Sequence, residues 1–543
     1  MARRSEYGSW SSASGFLRQY VQALRQKLAQ PNTLDGCDPI MSLKDANKAL
    51  LDGNFSAASL LYWNHKIALG PGSPSLDYNL ELLRHRWLRS RRGQPLKVVV
   101  TSWGLSHNPA GRAMTLAEVW RPHAEVAIIG CLIPSFGRSL WPPLQSSPIA
   151  CHSFVVARGS NFVCDAFRLV SQHPADVVHL SKPRMHNVMF GWLYQLIWGA
   201  RVVMDVDDEE LSFVSADNAL DPFEYIREHG GLPPFNKLKS KTCTQLAVGM
   251  VQQFDGVTVS NAALQNRYGG RIIPHVRPAD RFQPSNERVV ASRQEFGVPT
   301  DKYVVLFYGT PRKHKGVAET ARALAALGRD DVCYVIAGGE PDAELKAELE
   351  RIPGVDYIFL GVQPYERAAD VAAMGDICIL LQDTTSEVAQ FQLPAKLMDA
   401  LGMGLTVFAQ VTPPLEELAR KGAFIPVTAD NLVDKLRAWF DSDDRTQAKQ
   451  GRAIFESELT VEAVAPVVRA ILADETPRRA ELLSWQGQLE RLLSSDWPLG
   501  VPVPQRREQE AGWKQVRQMQ TLNELVRQPV LKERAGPINS WGA

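Results

Sequence analysis

A short basic loop is the first segment whose residue types suggest chemistry. In YGTPRKHKG (308–316), a run of strand-forming residues ends at Gly309, and Arg312 and Lys315 follow before a helical pattern begins. Backbone N–H groups at the start of a helix, together with nearby cations, form a binding site for phosphate groups. The loop therefore predicts a diphosphate site, and the alternative is a solvated basic turn.

A second candidate segment follows about eighty residues later, in FQLPAKLMDALGMG (391–404). Pro394 fits the first position of a helix, so Lys396 falls in the first turn, where the helix dipole disfavours a cation. A bound anion would compensate for this cost. Asp399 lies on the same face three residues on, where it either pairs with Lys396 or accepts hydrogen bonds from a ribose.

The first half of the chain carries an acidic run that directly follows a predicted strand. VVMDVDDEE (202–210) presents Asp205, Asp207 and Asp208, and three neighbouring carboxylates suggest either a divalent cation or loop capping combined with acceptor binding. The loop after the first predicted strand, SWGLSHNPAGRA (102–113), offers two further polar candidates, which we expect to be exposed: His107 and Arg112.

The elements that position these residues alternate between strand and helix. Short apolar runs separated by helical patterns are typical of open parallel sheets, whose ligands bind in a crevice at the carboxyl ends of the strands. The predicted strands are 96–104, 125–130, 176–181, 200–206 and 256–260, then 303–309, 332–339, 357–361, 376–381, 405–409 and 423–427. A proline-rich stretch at 272–288 divides the two groups. We therefore predict an α/β fold with two facing Rossmann-like domains.

The two ends of the chain read as helical. Residues 42–88 resemble a single tetratricopeptide-like hairpin, and 16–28 form an amphipathic pattern that suits a docked helix better than one on an anionic membrane. The predicted domains are a helical extension, a first Rossmann-like domain, a second Rossmann-like domain and a helical tail: 1–94, 95–285, 286–465 and 466–543.

Composition narrows the class of protein. A chain of 543 residues is too long for one core, since single cores stop growing near roughly 250–300 residues. The 60 basic and 59 acidic residues leave a net charge of +1, so no global field favours nucleic acid. The 7 cysteines are scattered and fit neither a disulfide framework nor a zinc site. With no secretory signal and no apolar run long enough to span a bilayer, we expect a cytoplasmic protein.

The order of the motifs resembles the GT-B glycosyltransferases of family 4. That resemblance rests on a glycine-ended strand with a basic loop closing in Lys-Gly, a strand ending in Gly-Gly (338–339), FLG (359–361) and the helix pattern Leu-Pro-x-Lys-x-x-Asp-Ala-Leu. It covers roughly residues 300–430 well and 95–285 loosely. Thr310 stands where the family commonly has arginine, and Phe391 and Asp399 stand where it commonly has paired glutamates, with Gln390 and Gln392 as candidate substitutes.

The resemblance implies a retaining transferase that needs no bound metal ion and no cofactor besides a nucleoside-diphosphate sugar. Arg312 and Lys315 would stabilise the leaving diphosphate, Val362 would contact the base through its backbone, and Asp399 would hold the ribose. The implied donor-binding set is Gly309, Thr310, Val362, Gln392, Leu393, Pro394, Lys396 and Asp399. The acceptor-side candidates are His107, Arg112, Asp205 and Asp207.

The expected activity is transfer of a sugar from this donor to a hydroxyl of a glycan, a lipid-linked glycan or a protein. Peripheral contact with the inner face of the membrane and homo-oligomerisation stay open, and we expect no nucleic-acid partner. Two alternatives remain at this point. One is a sugar-nucleotide epimerase of the same architecture, and the other is a non-catalytic binding or scaffold protein.

Overall fold

The structure is a computed structural model that describes residues 43–69, 74–156, 162–229, 231–233, 238–382 and 384–474. The predicted amphipathic helix at 16–28 and the part of the predicted tail after residue 474 lie outside the described residues. In the described ranges, no helix combines the length and the apolar character needed to cross a bilayer.

The first sheet is fully parallel and contains seven strands among the described residues, in the order β3-β2-β1-β4-β5-β6-β7. Its central strands are buried runs rich in valine, as expected when helices cover both faces, whereas the two strands at its edges are only partly buried. They are β1 (Lys97–Ser102), β2 (Glu125–Leu132), β3 (Ala150–Val155), β4 (Val177–Ser181), β5 (Arg201–Val206), β6 (Gly256–Val259) and β7 (Arg271–Ile272). In the register, Ser181 lies beside Asp205, so the loops after β4 and β5 are neighbours.

The second sheet is also parallel and contains six strands among the described residues, in the order β10-β9-β8-β11-β12-β13. These strands are β8 (Tyr303–Tyr308), β9 (Val332–Ala337), β10 (Asp356–Leu360), β11 (Ile377–Leu380), β12 (Thr406–Ala409) and β13 (Ile425–Pro426). The two parallel sheets, with helical regions at both ends of the described chain, confirm the predicted two-domain α/β fold.

Helices cover both sheets, and the N-termini of some of these helices face the cleft. Those before and within the first domain are α1 (Leu43–Leu51), α2 (Phe55–Leu69), α3 (Pro74–Ser90), α4 (Pro109–Trp120), α5 (Phe162–Gln172), α6 (Met185–Trp198), α7 (Pro222–His229), α8 (Lys241–Gly249) and α9 (Ala262–Tyr268). Those that follow are α10 (Asn286–Phe296), α11 (Val317–Leu327), α12 (Ala343–Glu350), α13 (Ala368–Ala373), α14 (Glu387–Phe391), α15 (Ala395–Gly402), α16 (Glu416–Arg420), α17 (Leu432–Ser442), α18 (Thr446–Glu458) and α19 (Ala465–Ala473).

The N-terminal extension packs on the first domain. The Trp63 ring meets Phe167 of α5 edge-on at 6.1 Å between centroids, and the Trp87 ring lies 5.4 Å from that of Trp198 in α6. These aromatic contacts join helices α1 to α3 to the same hydrophobic core as β4 and β5. The apolar face of the hairpin therefore has the body of the protein as its partner.

The last described helix returns to the first domain after the chain has completed the second. Val468 and Ile471 of α19 share a core with Val98 of β1 and Trp120 of α4. Arg271 pairs with Asp474 beyond the end of α19, with nitrogen–oxygen distances of 2.6 and 3.0 Å. The chain therefore crosses between the domains twice, first after β7 and again before α19.

Candidate active site

A cleft of about 520 Å³ lies between the carboxyl ends of the two sheets. Its lining residues directly follow strands of both domains, for example Trp103 after β1, Lys182 after β4 and Asp207 after β5. On the opposite wall, Gly309 follows β8 and Gly338 follows β9. This is the position at which parallel α/β sheets bind ligands.

The cleft brings together most of the site residues expected from the sequence. Those that line it are His107, Arg112, Asp207, Gly309, Thr310, Lys315, Val362, Gln392, Leu393, Pro394, Lys396 and Asp399. Arg312 and Asp205 do not line it. The Arg312 side chain is exposed and donates a hydrogen bond to the Pro311 carbonyl at 3.3 Å. The predicted contact of Arg312 with a diphosphate therefore stays a prediction, and its charge acts on the neighbouring Lys315.

Two lysines supply the positive charge of the second-domain wall of the cleft, the wall that the sequence assigns to the donor and that we call the donor wall. Lys315 donates to the Thr310 carbonyl at 3.0 Å, and the Lys396 ammonium lies 3.9 Å from the centroid of the Phe307 ring. No carboxylate pairs with either lysine among the residues the structure describes. Burial, followed by the charge of Lys315, lowers the pKa of Lys396 to about 7. Unpaired, partly desolvated ammonium groups of this kind are well suited to bind an anion.

Glycines allow the loop after β8 (309–316) to come close to its neighbours. Gly316 has φ 69°, and a Cβ at this position would clash with Leu381 at the end of β11. Gly338 has φ 113°, and its Cβ would lie 2.7 Å from the carbonyl carbon of Gly309. Only glycine accepts this conformation without strain. Gly316 and Gly338 therefore allow the loops after β8, β9 and β11 to lie against one another.

Asp399 is held by an arginine of the interdomain segment. Arg277 Nε lies 2.6 Å from Asp399 Oδ1, and Arg277 Nη2 lies 3.3 Å from Oδ2. The alternative of a surface pair between Lys396 and Asp399 is therefore wrong, because the carboxylate turns towards Arg277 and is buried. The bidentate pair links the segment after β7 to helix α15, and so fixes the start of that helix relative to the first domain.

Arg112 and Asp205 form a buried structural pair, which corrects the expectation that Arg112 is exposed. Two arginine nitrogens each lie 2.8 Å from one carboxylate oxygen, and Thr258 also donates to Asp205 at 2.7 Å. Arg112 further donates to the Ile273 carbonyl at 2.7 Å. A bidentate pair with its remaining hydrogen-bonding groups satisfied can be buried, and here it joins α4 to β5 and β6.

The acidic cluster consists of Asp207, Asp208 and Glu210, and it surrounds the ammonium group of Lys182. Lys182 Nζ lies 2.8 Å from Asp207 and 3.6 Å from Glu210, and it also pairs with Asp208. Burial is the main cause that raises the pKa of Asp207 to about 7, with Lys182 opposing it and Asp208 adding to it. Across the cleft, Gln392 donates to Asp208 Oδ1 at 2.9 Å.

Sequence reasoning did not find Lys182, although a signal exists. Lys182 lies some 25 residues before the acidic run in the chain, yet β4 and β5 are neighbours in the sheet. The carboxyl ends of adjacent parallel strands meet, so a basic residue directly after β4 is a predictable partner for carboxylates directly after β5. The same reasoning applies to Arg184, which pairs with Glu210.

His107 is packed among aromatic rings at the first-domain wall. Its imidazole stacks on Phe136 with centroids 3.9 Å apart and meets Trp103 edge-on at 4.7 Å. Burial is the main cause that lowers the pKa of His107 to about 4, with Lys239 and Lys182 adding to it. The ring is therefore neutral near pH 7, and within the described residues neither of its nitrogens has a hydrogen-bond partner.

Comparison with known proteins agrees with this architecture. Residues 290–457 match the family described as glycosyl transferases group 1. The crystal structure of Anabaena Alr3699/HepE in complex with UDP and glucose is similar, with a TM-score of 0.52 and 17% identity over 69% of this chain and 99% of that one. The complex of HepE with UDP-glucose gives a TM-score of 0.51 and 16% identity, again over 69% and 99% of the two chains. No curated protein matches the chain.

Together, the fold and the matched segment define the class of protein. Two facing parallel-sheet domains with the cleft between them form the GT-B fold, which the HepE structures share. The segment similar to glycosyl transferases group 1 spans the second sheet and its helices, including Lys315 and Lys396. The matched segment and the shared fold support a glycosyltransferase with the GT-B fold.

Proposed function

We propose that the protein is a retaining, metal-independent glycosyltransferase resembling family 4, which transfers a hexose from a nucleoside-diphosphate donor to a hydroxyl acceptor. The pair of ammonium groups at Lys315 and Lys396 carries the proposal, because both line the cleft and neither is paired with a carboxylate in the described chain. The second domain would hold the donor and the first domain the acceptor.

The proposed sugar transfer develops negative charge on the leaving diphosphate, next to the two lysines. The bond between the anomeric carbon and the diphosphate oxygen breaks, so negative charge grows on the leaving diphosphate beside Lys315 and Lys396. Fixed cations in a site of reduced solvation stabilise such charge strongly. The acceptor oxygen bonds to the anomeric carbon on the face that the diphosphate leaves, and the acceptor proton passes to a diphosphate oxygen. No protein nucleophile is assigned.

The donor is proposed to be a UDP-sugar. HepE, which shares the fold, has been crystallised with UDP-glucose and with UDP and glucose. In this chain, Val362 lines the second-domain wall of the cleft with an exposed side chain, and we propose that its backbone contacts the base. Asp399 can present a carboxylate oxygen to the ribose while Arg277 holds it in place.

The acceptor side of the cleft is lined by Asp207 and by the neutral His107. Either can accept a hydrogen bond from an acceptor hydroxyl and so orient it towards the donor. The acceptor is proposed to be a glycan, a lipid-linked glycan or a protein. We also propose that the protein acts in the cytoplasm, since the described cysteines are all free.

A donor-turnover screen separates this function from the two alternatives. UDP-, GDP- and ADP-sugars are incubated with the protein and with pooled oligosaccharide acceptors, and both the nucleotide and the sugar products are analysed. A transferase releases the nucleoside diphosphate and extends the acceptor. Interconversion of donors without transfer would indicate an epimerase. Donors left intact under every condition would indicate a binding or scaffold protein and would contradict the proposal.

A further inference from the structure

The backbone at Lys182 adopts a conformation that is uncommon for a residue with a side chain. Its φ is 76°, in the left-handed region, and Pro183 follows it. Such a conformation costs about 1–3 kcal/mol and persists only where surrounding contacts enforce it. Here the Lys182 N–H donates to the Asp205 carbonyl at 3.0 Å, and the Lys182 carbonyl accepts from Asn187 at 3.0 Å. The fold therefore holds this one side chain in a fixed direction.

That direction places the ammonium group inside a set of carboxylates. One ligand oxygen each of Asp207, Asp208 and Glu210 can be chosen such that all lie within 4.8 Å of one another. Oxygen donors at this spacing are those that Ca²⁺, Mg²⁺ and Mn²⁺ prefer. The Lys182 side chain is only 9% exposed and lies at ion-pair distance from all three carboxylates. It therefore takes the position that a cation would otherwise need to occupy.

The charges in the cluster show why a cation is required. Three carboxylates face two cations, Lys182 and Arg184, and Arg184 pairs with Glu210 only. If Lys182 were removed, the carboxylates of Asp207 and Asp208 would be buried side by side with no counter-charge of their own. Such an arrangement is strongly unfavourable. Protonation or an external cation would then have to replace the ammonium group.

The cluster is also connected to the donor wall. Asp208 uses Oδ2 for Lys182 and Oδ1 for the amide of Gln392, which lies three residues before Ala395 at the start of α15. Burial, followed by the charge of Arg312, lowers the pKa of Lys315, and the negative charge of Asp208 opposes this lowering. Orientation of Asp208 by Lys182 therefore affects both the contact between the domains and the field at the proposed diphosphate site.

We infer that the Lys182 ammonium group is a built-in counter-ion, which occupies a latent divalent-cation site and positions Asp207 and Asp208 in the cleft. Lys182 is thus a positioning residue. The effect of Lys182 on catalysis rests on the proposed function. The exclusion of a divalent ion by Lys182 is independent of that function. Removal of the ammonium group should therefore convert a protein that needs no metal ion into one that binds one.

The test uses Lys182→Gly, because glycine removes the charge and also relieves the left-handed backbone. Lys182→Asn is the second variant, since asparagine tolerates the same conformation. Lys182→Arg keeps the charge, and Lys302→Ala removes a half-buried lysine of the second domain that pairs with Asp356 of the same domain. Chelator-treated proteins are titrated with Mn²⁺ and Ca²⁺ by calorimetry, and their thermal unfolding is followed with and without each ion.

Lys182→Gly and Lys182→Asn should bind one divalent ion at least tenfold more tightly than the wild type, with a rise in melting temperature. Lys302→Ala should bind ions as weakly as the wild type, and Lys182→Arg, which keeps the positive charge, should also gain no tight ion site. Donor turnover by Lys182→Gly should be lost in chelator and recovered with Mn²⁺. A folded Lys182→Gly variant that binds no ion, or a wild type that binds equally well, would overturn the inference. So would variants that stay unfolded even with excess ion. Ion binding without turnover in any protein would support the inference and count against the transferase.

Discussion

The Lys396 side chain combines burial with an unmatched positive charge. Its pKa near 7 means that the ammonium group is only partly protonated in the free protein at neutral pH. A bound diphosphate would favour the charged form and raise this pKa, so binding should take up a proton above pH 7. In the unfolded chain the lysine has its ordinary, higher pKa. The charge at Lys396 therefore lowers the stability of the fold by its full amount below pH 7, and this loss is relieved gradually as the pH rises from 7 towards the ordinary lysine pKa of 10.5.

We accordingly predict that nucleotide affinity depends on pH through Lys396. Between pH 7 and 9, where the diphosphate charge is constant, the affinity of the wild type for UDP should fall by up to about tenfold per pH unit. The Lys396→Met variant should bind weakly with little dependence on pH. Calorimetry in two buffers with different ionisation enthalpies would measure the proton uptake directly. A wild type whose affinity stays flat over this range would show that Lys396 does not titrate at the site.

At the scale of elements, the turn between β8 and α11 depends on a glycine for two separate reasons. Gly316 is left-handed and lies against Leu381, whereas Gly328, at the other end of α11, is equally left-handed but faces open space. Gly328→Ala should therefore cost only the backbone strain, about 1 kcal/mol. Gly316→Ala should cost more, and it alone should weaken nucleotide binding, because the Lys315 loop must move. Denaturant unfolding together with calorimetry separates the two effects, and equal losses in both variants would contradict this account.

The strands with strongly apolar sequences could be predicted from the sequence. The strands that are short or only partly apolar could not. The β1 run KVVVTS and the β9 run VCYVIA are buried nearly throughout. The β3 run ACHSFV was missed because it forms an edge strand with only partial burial and carries histidine and serine. The two-residue β7 is too short to give a pattern.

Some features of the candidate site could also be predicted from the sequence, and others could not. Lys315 and Lys396 were predictable because each belongs to a local motif at the start of a helix. The partners of Arg112 and Asp399 were not, since Asp205 and Arg277 are 93 and 122 residues away in the chain. Pairings at that separation are set by the sheet order and by the return of the chain between domains, which local spacing does not encode.

At the scale of the whole molecule, the N-terminal helices form part of the first domain's core. Trp87 is 5% exposed and contacts both Phe55 and Trp198. Trp87→Ala should therefore lower the free energy of unfolding by about 3–5 kcal/mol, while Leu51→Ala on the same extension, at 56% exposure, should change it little. Chemical denaturation of both variants provides the comparison. A small loss in Trp87→Ala would mean that the extension is an independent unit.

The cleft as a whole is expected to work without a divalent ion, because Lys182 supplies the positive charge that the acidic cluster requires. Donor turnover by the wild type should therefore persist after exhaustive chelation and change less than about twofold when Mn²⁺ is added back. The product assay of the donor screen is a suitable readout. Loss of activity in chelator with recovery in Mn²⁺ would contradict the metal-independent mechanism.

We predict that a nucleoside diphosphate binds between Lys315 and Lys396, and isothermal titration calorimetry can measure this binding. UDP, GDP and ADP are titrated into the wild type, Lys315→Ala, Lys396→Met and Lys313→Met, the last of which removes an exposed lysine of the same loop that pairs with Glu344. At least one nucleotide should bind the wild type and Lys313→Met equally. It should bind Lys315→Ala and Lys396→Met more weakly by about 1.5–3 kcal/mol, as for a hydrogen bond to a charged group. Unchanged affinity in the two folded cleft variants would contradict the account.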